Sequence, residues 1–200
     1  MSKWGNEEKE TLEEIDNIGL FGNILNLAAG DGRFTNKLLE KADKVTAIDI
    51  NKEELNILKD NCNKDLINKL NMELVDITQK LPFQDMSFDG VFCTGTLHLF
   101  DKDTLFKILN EVKRILKSKG KILFDFATDI KRIDKYGNQI IFDGEGNYKK
   151  EESILMFKKY LSDFSLIIKE STFIEENLDE NAGYKSIEGN FLIISGFLNK

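Results

Sequence analysis

One proline, Pro82, stands in 200 residues, and no segment is rich in glycine and serine. With no linker, repeat or low-complexity tract to divide it, residues 1–200 read as one domain with room for a sizeable core. No apolar run approaches the ~18 residues that a membrane span needs. The first residues, Met1 to Glu8, lack the apolar stretch of a secretory signal. Cysteine is scarce too. Cys62 and Cys93 have no CxxC spacing, which points to reduced thiols in a cytoplasmic protein. Basic residues are in deficit: Lys and Arg number 28 against 35 Asp and Glu, for a net charge of −7. The basic footprint of a nucleic-acid binder is therefore missing, and the densest pairs, Lys149-Lys150 and Lys158-Lys159, have glutamates close by. Lys far exceeds Arg, and Ile and Asn are abundant, as in proteins from AT-rich prokaryotic genomes. Histidine occurs once, as His98, and neither a catalytic triad nor a metal-ligand cluster is visible.

What is present is an alternation of strand and helix patterns. Residues 6–18 read as a charged helix with Leu12 and Ile15 turned inward, part of an N-terminal helical segment over 1–20. Strands follow at 23–27, 44–49, 72–76, 88–93 and 121–126. Helices are expected at 33–41, at 51–66 with Asn51 as cap, at 102–117 with Gly120 as the stop, and at 149–162. Two long β-patterns at 164–174 and 187–198 have no helix between them, so they should pair as an antiparallel hairpin closing the sheet. The fold class is α/β, a doubly wound, mostly parallel sheet with an antiparallel C-terminal edge.

The most informative stretch is Asn23 to Thr35. A short apolar strand ends in Ala28-Ala29-Gly30-Asp31-Gly32, and an amphipathic segment with Phe34, Leu38 and Leu39 on one face follows at once. Such a turn brings backbone N–H groups and a helix N-terminus close to a nucleotide-like cofactor. Asp49 ends the second strand about 20 residues past the glycine loop, where a carboxylate can accept from both ribose hydroxyls. Asp76 ends the third, where its carboxylate or neighbouring backbone can meet an adenine amino group. Ile50 and Ile77 follow these acids and are either the faces of a base-binding slot or ordinary core.

These segments resemble the class I S-adenosylmethionine-dependent methyltransferases, in particular the broad type-11 group of small enzymes. The resemblance rests on Asn26-Leu27-Ala28-Ala29-Gly30-Asp31-Gly32, on Val45 to Asp49, on Val75-Asp76, and on Leu81-Pro82-Phe83-Gln84-Asp85-Met86-Ser87-Phe88-Asp89-Gly90-Val91. The last is similar almost residue for residue to the family's L-P-F-x-D-x-S-F-D-x-V, and Leu97-His98-Leu99-Phe100 follows as its L-H-H-L segment does. The match is strong over residues 20–126 and weak over the closing hairpin. It implies a Rossmann-like seven-stranded sheet, S-adenosylmethionine as cofactor, and cofactor contacts from Asn26, Ala28, Gly30, Gly32, Asp49, Ile50, Asp76, Ile77 and Cys93, with Thr94 beside Cys93 lining the cleft.

Two positions depart from the family. Asn26 stands where an acid is usual, removing a charge that would favour the donor's ammonium group, and Ala28 replaces a glycine. Both are small changes, and binding is expected to survive them. The implied reaction is in-line transfer of a sulfonium methyl to an unidentified acceptor, for which the enzyme mainly holds two partners together and excludes water. A base is needed only when the nucleophile arrives protonated. His98 is the catalytic candidate, as base or as orienting group, and Asp125 shares its edge. A small-molecule acceptor is favoured; nucleic acid and protein acceptors remain open, although the N/D-P-P-Y/F pattern of base methylation is missing. A membrane partner is not expected. Residues 127–150 form an insertion over the active edge, either a surface hairpin or a substrate-facing flap containing Tyr136 and Phe142. Alternative readings are a non-catalytic S-adenosylmethionine-binding regulator and a nicotinamide-dependent oxidoreductase; the Leu81–Val91 match counts against the latter.

Overall fold

The computed structural model describes residues 5–142, 145–176 and 183–199, with 5–8 as backbone alone. The parallel half is built from β1 (Asn23–Leu27), α2 (Thr35–Lys41), β2 (Lys44–Asp49), α3 (Lys52–Asn61), β3 (Leu70–Leu74), β4 (Phe88–Cys93), α4 (Lys102–Ile115) and β5 (Leu116–Ile133). Helix α1 (Gly5–Ile18) precedes it, and β6 (Gln139–Ile140), α5 (Lys150–Tyr160), β7 (Phe164–Glu175) and β8 (Ser186–Leu198) follow. The strand order is β3-β2-β1-β4-β5-β8-β7, with β6 paired to β5. The pairs from β3 through β5 are parallel, and β8 is antiparallel to both β5 and β7. This is the doubly wound sheet with its antiparallel edge. Among the described residues it has eight strands, because the two-residue β6 joins the expected seven.

The elements form for local reasons. Asn51 caps α3 by accepting from the Glu53 N–H at 2.8 Å, and Asp101 caps α4 by accepting from Asp103 and Thr104. Leu105, Ile108, Leu109, Val112 and Ile115 recur at helical spacing and make the buried face of α4. They pack with Val91, Ile122, Phe124 and Phe126 in the larger core, while Ile15, Phe34, Leu38 and Phe92 build the other face of the sheet. Strand order reverses between β1 and β4, and in such sheets ligands bind outside the carboxyl ends of the strands at that point.

Several boundaries differ from expectation, most of all around α3, α4 and β5. Helix α3 stops at Asn61, and a 3-10 turn at Ile67–Lys69 carries the chain into β3, which therefore begins and ends two residues early. Helix α4 stops at Ile115, and Gly120 lies inside β5. Between Phe88 and Gly90 of β4 the partner strand advances from Leu116 to Lys121, an irregularity with Lys119 at φ +59°. The glycine thus relieves crowding in a bulged strand and does not end a helix.

The Leu81–Val91 motif is scaffold. Arg114 donates to the Leu81 and Phe83 carbonyls, to Asp85 and to Glu111. Glu111 accepts from the Leu81 N–H at 2.8 Å. Asp89 accepts from the Asn23 N–H at 2.8 Å and from Lys117. This knot fastens the loop before β4 to α4 and to the start of β1, and so sets where the carboxyl ends of β1 and β4 lie.

Candidate active site

The turn after β1 is a chain of left-handed residues. Ala28, Gly30 and Gly32 have φ of +52°, +52° and +83°. The Ala29 N–H donates to Ile48 O and Gly32 N–H to Ala29 O, which closes the loop tightly over β2. A Cβ at Gly30 would meet nothing within 4 Å, so the backbone there faces open space, as a cofactor cradle requires. At Gly32 a Cβ would lie 2.5 Å from Leu58, so this glycine serves the packing of α3. Asn26 is buried and donates its side-chain amide to Thr35 Oγ1 at 3.1 Å. It ties β1 to the first turn of α2.

Asp49 is fixed in place by backbone. One carboxylate oxygen accepts from the Gly30 N–H at 2.9 Å and the other from the Asn51 N–H at 2.8 Å. A carboxylate has about four acceptor directions, so two stay open for ribose hydroxyls. The two isoleucines separate: Ile50 is 69% exposed beside Asp49, whereas Ile77 is 7% exposed and belongs to the main core. Asp76 lies beyond the end of β3. Its Oδ1 accepts from the Thr78 N–H and hydroxyl at 2.9 and 2.7 Å, bonds that hold its carboxyl below the usual range. The turn, the two carboxylate acceptors and the exposed Ile50 thus lie together at the carboxyl edge of the parallel strands.

A cavity of about 240 Å³ has Arg33, Thr94, Gly95 and Asp125 in its lining. The Gly95 N–H donates to Asp125 Oδ1 at 2.6 Å. Cys93 is fully buried just below, and burial, with the Asp125 and Asp49 carboxylates added, pushes its thiol well up. It is a packed thiol at the end of β4.

His98 sits on a 3-10 turn, Leu97–Leu99, and lines the same cavity. Its ring meets Phe126 edge-on at 6.2 Å. It is 8% exposed, and its Nδ1 has no hydrogen-bond partner among the described residues. Burial lowers its pKa to about 4, with Glu145 opposing and Arg132 adding to the shift. The imidazole is neutral at physiological pH.

The far wall contains groups the sequence did not disclose. Arg132, 9% exposed, donates from two nitrogens to the two oxygens of Glu145, both at 2.7 Å. Phe142 and Tyr184 cover the guanidinium at 4.8 and 5.8 Å. The insertion over 127–150 is thereby pinned across the edge, with Tyr148 donating to Phe100 O at 2.9 Å. Tyr136 is exposed and away from the cavity, and Phe142 reaches it through Arg132 and Tyr184. Helix α1 also contributes, since buried Thr11 lines the cavity. The alternation that would have revealed Arg132 is broken by a bulge. Register shifts between Thr128 and Lys131, with Asp129 at φ +53°. The odd-numbered face of β5, Asp125 and Ala127, is continued by Ile130 and Arg132.

The fold is a doubly wound domain whose candidate site lies at the carboxyl edge of its parallel strands. Residues 24–120 match the model of a family described as methyltransferase domain. The chain is 32% identical over 116 residues to YqeM of Bacillus subtilis (strain 168), provisionally named a methyltransferase; the match covers 52% of this chain and 42% of that protein. The chain thus spans about two fifths of this curated relative's length. Its fold is similar to the crystal structure of YcgJ from Bacillus subtilis, with a TM-score of 0.72, 14% identity, and 96% and 99% of the two chains covered. It is similar also to DhpI in complex with SAH, with a TM-score of 0.62, 18% identity, and 94% and 83% covered. The family match spans residues 24–120, a little under half of the chain, and the likeness to the solved structures is one of fold. Among the described residues no helix is long and apolar enough to cross a membrane.

Proposed function

We propose that the chain transfers a methyl group from S-adenosylmethionine to a small-molecule acceptor. The observation that carries this reading is the cavity of about 240 Å³ at the carboxyl edge of the sheet, just below the usual size of small-molecule sites and sized for one small group. When bound, S-adenosylmethionine supplies a sulfonium methyl already activated for displacement. The protein's share is to bind, orient and keep water out. Asp49 would hold the ribose, Ile50 one face of the adenine, and the backbone around Asp76 and Ile77 its edge. Gly30 and the turn after β1 would cradle the methionine end, with Asn26, Ala28 and Gly32 shaping that turn and Cys93 and Thr94 closing it from β4.

His98 is assigned an orienting role toward the acceptor. A ring with a pKa of about 4 is a weak base, and general bases work best near the operating pH. Residues 127–150 are a flap over the acceptor, held down by the Arg132–Glu145 pair. Free, buried Cys62 and Cys93 suit a reducing cytoplasm. A regulator that binds S-adenosylmethionine without turnover is the second reading, motivated by Asn26 and Ala28 in the cofactor loop. The test is incubation with methyl-labelled S-adenosylmethionine and a fractionated metabolite pool. Label moving to a small molecule supports the enzyme. Tight donor binding with no acceptor labelled would leave the regulator, and label entering only protein or nucleic acid would refute the acceptor class.

A further inference from the structure

The charge at the closed end of the cavity is already balanced. Arg132 spends two of its five N–H groups on the two Glu145 oxygens at 2.7 Å, and ring faces of Phe142 and Tyr184 lie over the guanidinium. Its Nε, also buried, has no partner among the described residues. Asp125 places a further carboxylate in the same cavity, and Arg33 stands exposed at the rim over Phe34. An anionic acceptor at Arg132 would add a second negative charge to a buried, satisfied ion pair, and its desolvation would go uncompensated. A neutral oxygen would accept from the unpartnered Nε–H without adding charge. The cavity is lined as well by Phe34, Ala127, Ile130, Phe173, Ile187 and Phe191, an apolar box half aromatic and half aliphatic.

We infer that the acceptor is a small, uncharged molecule with a ring-sized apolar body and one hydrogen-bond-accepting oxygen, and that Arg132, held by Glu145, binds that oxygen. This rests on the proposal that the chain binds S-adenosylmethionine, and it adds what the other partner must look like. Arg132 is a specificity residue, and Glu145 acts through it by cancelling its charge. Glutamate at 145 therefore selects neutral acceptors over anions.

The test is calorimetry with saturating S-adenosylhomocysteine and three probes on one skeleton: 4-hydroxyacetophenone, 4-ethylphenol and 4-hydroxybenzoate. The ketone is expected to bind tighter than the other two by about tenfold or more, the effect of one good hydrogen bond. Glu145→Gln frees the Arg132 charge and should reverse the order of ketone and carboxylate. The double change Arg132→Met with Glu145→Gln removes both charges together and should erase the ketone's advantage over 4-ethylphenol. A carboxylate that binds tightest to the unaltered protein overturns the inference, as does an order untouched by Glu145→Gln, or no binding by any of the three. Failure of S-adenosylhomocysteine itself to bind would instead refute the underlying methyltransferase reading.

Discussion

Asp49 is set in position by two backbone N–H groups, so its carboxylate is pre-organised for a diol. Asp49→Ala should weaken S-adenosylmethionine by about 1.5–3 kcal/mol, the range for hydrogen bonds to a charged group. Unchanged affinity in a folded variant would remove the ribose assignment. Ala28 carries a left-handed backbone at φ +52°, which costs an L-residue on the order of 1 kcal/mol. Ala28→Gly should therefore raise stability slightly and keep or improve donor affinity, read by thermal unfolding with and without S-adenosylmethionine. A loss of affinity would mean that the methyl group itself packs against the donor. His98→Ala tests orientation against base chemistry. An orienting ring predicts a fall in turnover well below ~100-fold, with KM for the acceptor raised; a larger fall at unchanged KM would restore the general base.

At the scale of elements, α1 is coupled to the site through Glu14. Burial pushes this carboxyl up, but Lys169, Ser195 and Asn17 outweigh that and hold it below its usual value. The Ser195 hydroxyl donates to it at 2.6 Å, and Lys169 pairs with it. Glu14→Ala would orphan the Ser195 hydroxyl and loosen the helix that brings Thr11 to the cavity. A cost of about 2–3 kcal/mol is expected in urea unfolding, and a shift under ~0.5 kcal/mol would show α1 to be only loosely attached. Strands β1, β2 and β4 were legible to the residue because buried apolar runs end there in tight turns or acids. Strand β5 was not, because two irregularities change its parity and a glycine inside it looks like a helix stop. For the same reason Arg132 stayed hidden, and its partner Glu145 lies in a turn-rich segment without periodicity. The family motif at 81–91 was fully legible, yet its residues brace the scaffold, whereas the acceptor wall carries no comparable signature.

For the molecule as a whole, a single histidine makes the pH response readable. His98 is lowered from 6.5 to about 4 by burial, with Glu145 and Arg132 as its charged neighbours. Between those values the unfolded chain binds a proton that the folded chain does not. Stability is therefore complete above pH 6.5 and falls as the pH drops, by on the order of 2 kcal/mol at pH 4.5. Carboxylates held low, such as Glu14 and Glu111, lose their contribution only at lower pH still. Urea unfolding from pH 7.5 to 4.5 should show this slope, and His98→Gln should flatten it. A flat profile in the unaltered protein, or a lone imidazole resonance titrating near 6.5 by NMR, would contradict a buried neutral ring.

The central claim is that the carboxyl edge of β1, β2 and β4 holds S-adenosylmethionine as methyl donor. Its most direct test is a calorimetric titration of the protein with S-adenosylmethionine and, separately, with NAD. One-to-one binding of S-adenosylmethionine, with a dissociation constant in the range of about 1 μM to 1 mM usual for enzyme substrates, and no heat from NAD is the predicted result. Binding of NAD with none of S-adenosylmethionine would contradict the account.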